Sequence, residues 1–255
     1  MSTRGTRTPR MDGDPATGDD WLADGQIRTY RRGQKIIEAG SPLAEWIAIS
    51  GGAAFLAARV AADTRVAVAA LWLGDVIGAD SPLGKLAARY DVTALVDVTT
   101  IHIPLTRVKD PHAPQRDAAT GELYAATASR LQDQITMRLA GNGLQRLVSV
   151  LATLAAALSS TPRAIAIGNS LSLPVSQACI GQLSGLSRRQ TWIYLGQLAE
   201  KGWSRTSRTK VTLEGVNAWL SLMAEVEIRG LDCIATVDQC DMVLSELASK
   251  RSFTR

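Results

Sequence analysis

The segment QACIGQLSGLSRRQTWIYLGQLAEKGW, Gln177 to Trp203, places two short apolar stripes on either side of a glycine. Ile180 and Leu183 give a first helix one apolar side, and Gly185 permits a sharp turn. Leu186 fills the space between two helices. Ser187 begins a second helix, and Leu195 and Leu198 anchor it. Ser187 with Gln190 three residues on fits a capping box, in which side chain and backbone satisfy each other's free groups. The pattern is that of a helix-turn-helix, whose second helix enters a DNA major groove by its N-terminal end.

The residue types suit that geometry. Arg188 and Arg189 fall in the first turn of the second helix, and an arginine fork matches guanine O6 and N7. Gln190 suits adenine or a phosphate. The Ser187 hydroxyl and the free N–H groups of the helix start suit a phosphate oxygen. Tyr194, one turn on, is expected to reach the DNA backbone, and Gln177 opens the first helix of the same candidate surface. Beyond Trp203, Arg205, Arg208 and Lys210 fall on a turn placed like a wing beside the duplex. Charge agrees: residues 160–214 carry seven basic side chains against two acidic, while the whole chain has a net charge of +4. A local basic surface points to a polyanion.

The chain has 255 residues, of which 46% are hydrophobic and 20% charged. That composition excludes a collagen-like fibre and a wholly disordered chain. No apolar run reaches the length of a membrane span, so no membrane partner is expected. Residues 1–20 lack the apolar stretch of a secretory signal and read as a disordered leader on a cytoplasmic protein. Cys179, Cys233 and Cys240 form no CxxC pair and too small a set for a four-cysteine centre, so they read as reduced structural thiols. His102 and His112 are too few for a multi-histidine metal site. No nucleophile–base pair, phosphate loop or GxGxxG stands out, so an enzyme is not expected.

Residues 21–108 read as β-structure. Glycines punctuate short apolar runs such as 46–49 and 53–56. Gly51-Gly52 suggests a tight hairpin and Asp63-Thr64 another. Residues 66–73 and 93–103 supply further strands. Residues 109–116, with two prolines, read as a linker. From residue 118 the period becomes helical: Tyr124, Ala128, Leu131, Ile135 and Leu139 form one stripe, expected to be a dimer contact. Gly141-Asn142-Gly143 ends it, and a second helix covers 144–158. Residues 160–174 read as a loop and 211–213 as a short strand. Residues 214–227 read as a helix with Val216, Leu220 and Met223 on one side. A last helix over 230–255 sets Cys233, Val237, Cys240 and Leu244 at helical spacing.

With these motifs in place, the chain resembles the cyclic-AMP receptor protein / fumarate–nitrate regulator (CRP/FNR) superfamily over roughly residues 25–220. The resemblance rests on IGQLSGLSR (180–188), LxxLxxKGW (195–203) and KVTL (210–213). In the N-terminal half it rests on GQKIIEAG (33–40), WIAISGG (46–52) and GDVIG (74–78), and between the halves on SRLQ from Ser129. It implies an α+β chain with a cyclic-nucleotide-binding-like β-roll (a jelly roll), a long dimerisation helix and a C-terminal winged helix-turn-helix. It further implies a homodimer on a two-fold symmetric operator of double-stranded DNA, and RNA polymerase as a partner if the protein activates. The chain departs from the pattern at the sensor. Ala79 follows Gly78 where cyclic-AMP-binding members carry glutamate, and Val92-Thr93 stand where they carry Arg-Ser. A buried cyclic phosphate without a cation is costly, so cyclic AMP is not expected in the usual way. No cysteine precedes Cys179, which removes the family's iron–sulfur mechanism, and His102 reads as a hydrogen-bonded histidine rather than a haem ligand.

The expected units are the leader 1–20, a sensor β-roll 21–108, a linker and dimerisation helices 109–159, a winged helix-turn-helix 160–220, and a helical extension 221–255. The expected function is sequence-specific DNA binding by a transcription regulator. No cofactor is assigned. An unidentified small-molecule effector would meet Gly78, Ala79, Asp80, Arg89 and Thr93. The alternative is a ligand-binding or protein-interaction module whose C-terminal extension docks a partner.

Overall fold

A computed structural model describes residues 25–61, 64–78, 87–108, 114–159, 166–167, 169–207 and 209–250. Among the described residues eight strands come first: β1 (Gln26–Tyr30), β2 (Lys35–Ile37), β3 (Glu45–Gly51), β4 (Ala53–Ala61), β5 (Thr64–Trp72), β6 (Val76–Ile77), β7 (Tyr90–Ala94) and β8 (Val98–Pro104). They form two antiparallel four-stranded sheets, ordered β1-β8-β3-β6 and β2-β7-β4-β5. The expected β-roll is therefore present. Alternation along β3 shows how it is filled. Ile47 and Ile49 point between the sheets, onto Leu56, Leu71, Val92 and Val98. Trp46 and Ala48 point the other way and pack with Val76 and Ile103, against Leu105 and Leu123 of the helices that follow.

The helical part begins with α1 (Leu105–Val108), α2 (Pro114–Leu139) and α3 (Gly143–Ser159). Strands β9 (Ala166–Ile167) and β10 (Ser170–Leu173) lead into α4 (Gln177–Ser184) and α5 (Arg188–Glu200). Then come β11 (Ser204–Thr206), β12 (Val211–Glu214), α6 (Val216–Arg229), a 3-10 turn over Leu231–Ile234 and α7 (Val237–Lys250). One apolar cluster joins the small residues Ala53, Ala67 and Ala70 of the roll to Leu147, Leu151 and Leu154 of α3, and runs on through Leu195 and Trp219 to Leu244. Alanines on the outer face of β4 and β5 let α3 and α4 come close. Among the described residues no helix is long and apolar enough to cross a membrane.

Several expectations are corrected. Gly51-Gly52 makes no hairpin, because β3 and β4 belong to different sheets. Gly52 is a corner with φ +83°, and a Cβ there would stand 2.2 Å from the Asp97 carbonyl oxygen. Residues 93–103 are two strands in separate sheets, parted at Leu95–Asp97. The linker is shorter than expected, since α2 already starts at Pro114, and proline suits the first position of a helix. Residues 170–173, read as loop, form β10, which pairs with β12 from Ser170↔Glu214 to Leu173↔Val211. The buried side of α6 is Ala218, Trp219, Leu222 and Val226, with Leu220 and Met223 at its margin. Cys233 lies in the 3-10 turn, apart from α7. The leader, Asp63, residues 109–113 and 160–165, and residues 251–255 lie outside the described residues.

Candidate nucleic-acid interface

Both helices of the 177–203 segment are built by local rules. The Ser176 side chain caps α4 by accepting from Cys179 N at 3.2 Å. Gly185 ends α4 in the left-handed region at φ 64°, a conformation that costs an L side chain about 1–2 kcal/mol. Leu186, 9% exposed, plugs the turn. The expected capping box is present: Ser187 Oγ accepts from Gln190 N at 3.2 Å, and Gln190 Oε1 accepts from Ser187 N at 3.1 Å. Thr191, Leu195 and Leu198 form the buried side of α5.

The opposite side faces outward. Arg188 and Arg189 are exposed and make no hydrogen bond or ion pair among the described residues. Gln190 is exposed, but its carboxamide oxygen is committed to the cap, which leaves its NH2 group for a ligand. Gln177 is half-buried at the first position of α4. Tyr194 is turned away from the outer side: its ring packs against Gly143, whose Cβ would meet Tyr194 Oη at 2.9 Å. Packing against the start of α3 thus replaces the expected reach to DNA. Trp192, which no sequence motif singled out, is 65% exposed on the outer side, beside Ile193 at 37%.

The wing is the β11–β12 hairpin, registered from Ser204↔Leu213 to Thr206↔Val211. Its turn is closed by Ser207 N donating to Lys210 O at 2.9 Å. Arg205 is held in the hairpin by Glu214 at 2.6 Å, whereas Lys210 is exposed and unpaired among the described residues. Arg208 lies outside the described residues. Lys201 turns to the C-terminal extension, 2.8 Å from Asp238. The free positive charge of this surface, among the described residues, is therefore Arg188, Arg189 and Lys210.

The stripe on α2 divides. Tyr124, Ala128, Ile135 and Leu139 are exposed on the single chain, Leu139 at 81%, while Leu131 packs into the roll. The other side of α2 is fastened by polar groups. Thr127 Oγ1 accepts from Val76 N at 3.0 Å, Arg130 pairs with Asp75, and Gln134 both accepts from Ala70 N and donates to Ala70 O.

In the β-roll, Ala79 and Asp80 lie outside the described residues. Gly78 is pressed to 2.9 Å, at its notional Cβ, from the Glu45 carbonyl. Val92 is a core side chain, Thr93 is half-buried and Arg89 is exposed. Sequence reasoning missed the nearest charge cluster. Asp91, 1% exposed, accepts from Ala39 N at 2.8 Å and is paired with Arg65 and Lys35. Burial raises that carboxyl, but these partners together hold it below its ordinary value. His102 is buried, with Nδ1 2.8 Å from Glu45 and Nε2 2.9 Å from Thr100. Both ring nitrogens are engaged, as suits a structural histidine. Among the described residues no His, Cys, Asp and Glu group could hold a metal ion. Burial pushes the Cys179 thiol up to about 11 and Cys240 up to about 12, so both are poor nucleophiles.

The C-terminal extension packs on its own chain. Trp203 Nε1 donates to Asp241 at 2.7 Å, Asn142 Nδ2 to Ala235 O at 2.8 Å, and Gln145 Nε2 to Leu231 O at 2.8 Å. Cys240, Val243 and Leu244 face the common core. The apolar stripe of α7 is thereby occupied.

These parts define a class of fold: an antiparallel roll, a long helix across it, and a winged helix-turn-helix. No protein-family profile matches the chain, and no curated protein does. Solved structures do. A CRP/FNR-family transcriptional regulator from Thermus thermophilus matches at 18% identity and a TM-score of 0.62, covering 82% of this chain and 98% of that one. A CRP-family regulator from the same organism matches at 20% and 0.63, covering 78% and 96%. The c-di-GMP-responsive global regulator CLP of Xanthomonas campestris matches at 19% and 0.60, covering 76% and 96%. The chain has the fold of the CRP/FNR regulators, as its motifs led one to expect.

Proposed function

We propose that the chain is a CRP/FNR-type transcription regulator of the cytoplasm that binds a two-fold symmetric operator as a homodimer. One observation carries this reading: the capped start of α5 presents two exposed arginines, unpartnered among the described residues. At such an end, free N–H groups and the helix dipole favour phosphate, while the guanidinium forks address guanine. Lys210 on the wing adds a phosphate contact. The exposed stripe of α2 supplies the seam for the second copy. The β-roll is the sensor for a small molecule other than cyclic AMP held in the usual way, and RNA polymerase is the further partner if the protein activates.

The test is fluorescence anisotropy with a duplex that the full chain selects from a random pool. The logarithm of affinity should fall linearly with the logarithm of salt concentration as counterions are released. Arg188→Ala should cost about 1–3 kcal/mol at the selected site and relax base choice, whereas Lys210→Ala should weaken all sequences alike. Binding indifferent to salt overturns the reading.

A further inference from the structure

The outward side of α5 changes character after its first turn. Trp192 and Ile193 stand four residues beyond Arg188 and Arg189, so each lies one turn above an arginine. Trp192 is 65% exposed and Ile193 37%. Large apolar side chains left together in water mark a contact surface. Gly196, another turn on, has no heavy atom within 4 Å of the place its Cβ would take. Glycine weakens a helix interior, and nothing packed against it requires one here. Its bare backbone keeps the space beside Trp192 and Ile193 open.

The neighbours of this patch select its occupant. It continues a face that begins with two unpaired guanidinium groups and a helix N-terminus, which suits a polyanion better than an apolar protein surface. In the major groove of duplex DNA the one apolar group on a base edge is the thymine C5-methyl. We propose that Trp192 and Ile193 enclose that methyl, so that the half-site pairs a guanine, addressed by the arginines, with a nearby thymine. The proposal rests on the duplex-DNA reading given under Proposed function. Four helical residues advance about 6 Å, and stacked base pairs lie about 3.4 Å apart. The thymine therefore falls within about two base pairs of the guanine.

The test uses the full-length chain and the duplexes it selects from a random pool. Each thymine of the half-site is replaced in turn by deoxyuridine, which lacks only the C5-methyl. At the thymine near the guanine, affinity should fall about fourfold, the worth of one buried carbon. The Trp192→Ala, Ile193→Ala double variant should bind thymine and uracil duplexes equally. Both side chains are exposed, and the uracil series on the unaltered chain needs no variant to fold. Selected duplexes that bind the unaltered chain equally with uracil at every position overturn this proposal and leave the regulator reading standing. Retention of no duplex at all overturns both. A double variant that changes its sedimenting mass but keeps its preference for thymine assigns the patch to a second copy of the chain, and overturns the proposal too.

Discussion

Arg130 Nε donates to Asp75 Oδ1 at 2.7 Å, joining the middle of α2 to a carboxylate of the roll that is 1% exposed. The same carboxylate accepts from Trp72 N at 2.8 Å, and the Arg130 guanidinium lies 5.9 Å from the Trp72 ring centroid. Burial pushes the Asp75 carboxyl up, and the pull of Arg130 does not cancel it. Such a pair adds little net stability, yet halving it is expensive. Asp75→Ala should cost about 3 kcal/mol in urea unfolding, because it strands the arginine. Asp75→Leu combined with Arg130→Met should lose far less. Equal losses in the two would show that the charge pairing is irrelevant.

The Gly52 corner makes a sharper demand. Its φ of +83° disfavours a side chain, and the Asp97 carbonyl fills the space a Cβ would need. Gly52→Ala should lower stability by more than about 2 kcal/mol, the backbone cost and the clash adding. Gly196→Ala, in open space on α5, should instead leave the melting temperature unchanged or raise it. A melt in which the two behave alike would refute this account.

For the second copy, Ile135 is 44% exposed near the middle of the α2 stripe. The unaltered chain should sediment at twice its 27.2 kDa. Ile135→Glu should halve that mass by setting like charges face to face across the seam, with the melt of the β-roll little changed. A variant that remains dimeric would move the seam elsewhere.

Among the described residues, the pH dependence near neutrality belongs to His102. Burial pushes its imidazole below the ordinary 6.5; Glu45 pulls it up and Arg28 pushes it down again. The folded chain thus holds the neutral ring, and the unfolded chain takes the proton first as pH falls. The stability His102 contributes is whole above about 6.5 and is lost as pH drops toward the folded value. Thermal midpoints of the unaltered chain and His102→Gln should differ most above pH 7 and converge toward pH 5. A gap that widens on acidification would reverse the assignment.

The helix-turn-helix could be read from the sequence because each of its signals is local. The serine–glutamine cap, the turn glycine and the leucine stripe lie within a few residues of their partners. The errors came from contacts distant in the chain. Ser170–Leu173 alternates as a strand should, but its partner, Val211–Glu214, lies far along the chain, and a proline at 174 disfavours a long strand. Gly51-Gly52 looks like a hairpin because the sequence does not say that the strands on either side leave for different sheets. Tyr194 falls one turn after Gln190, yet the approach of Gly143 draws its ring inward. Exposure of Trp192 could not be inferred either, since a tryptophan at that spacing serves equally well as a core residue.

Among the described residues strand β5 ends its sheet, so its outer backbone groups have no neighbouring strand there. Side chains take that place: Gln182 Oε1 accepts from Ala67 N at 3.1 Å, and Gln134 both accepts from and donates to Ala70. The first helix of the helix-turn-helix, together with α2, therefore acts as a guard rail along the roll's open border. An alanine- and valine-rich border stripped of its cover is a template for strand addition. A β-roll cut free at residue 108 should accordingly self-associate along this border, which the helical half covers in the intact chain.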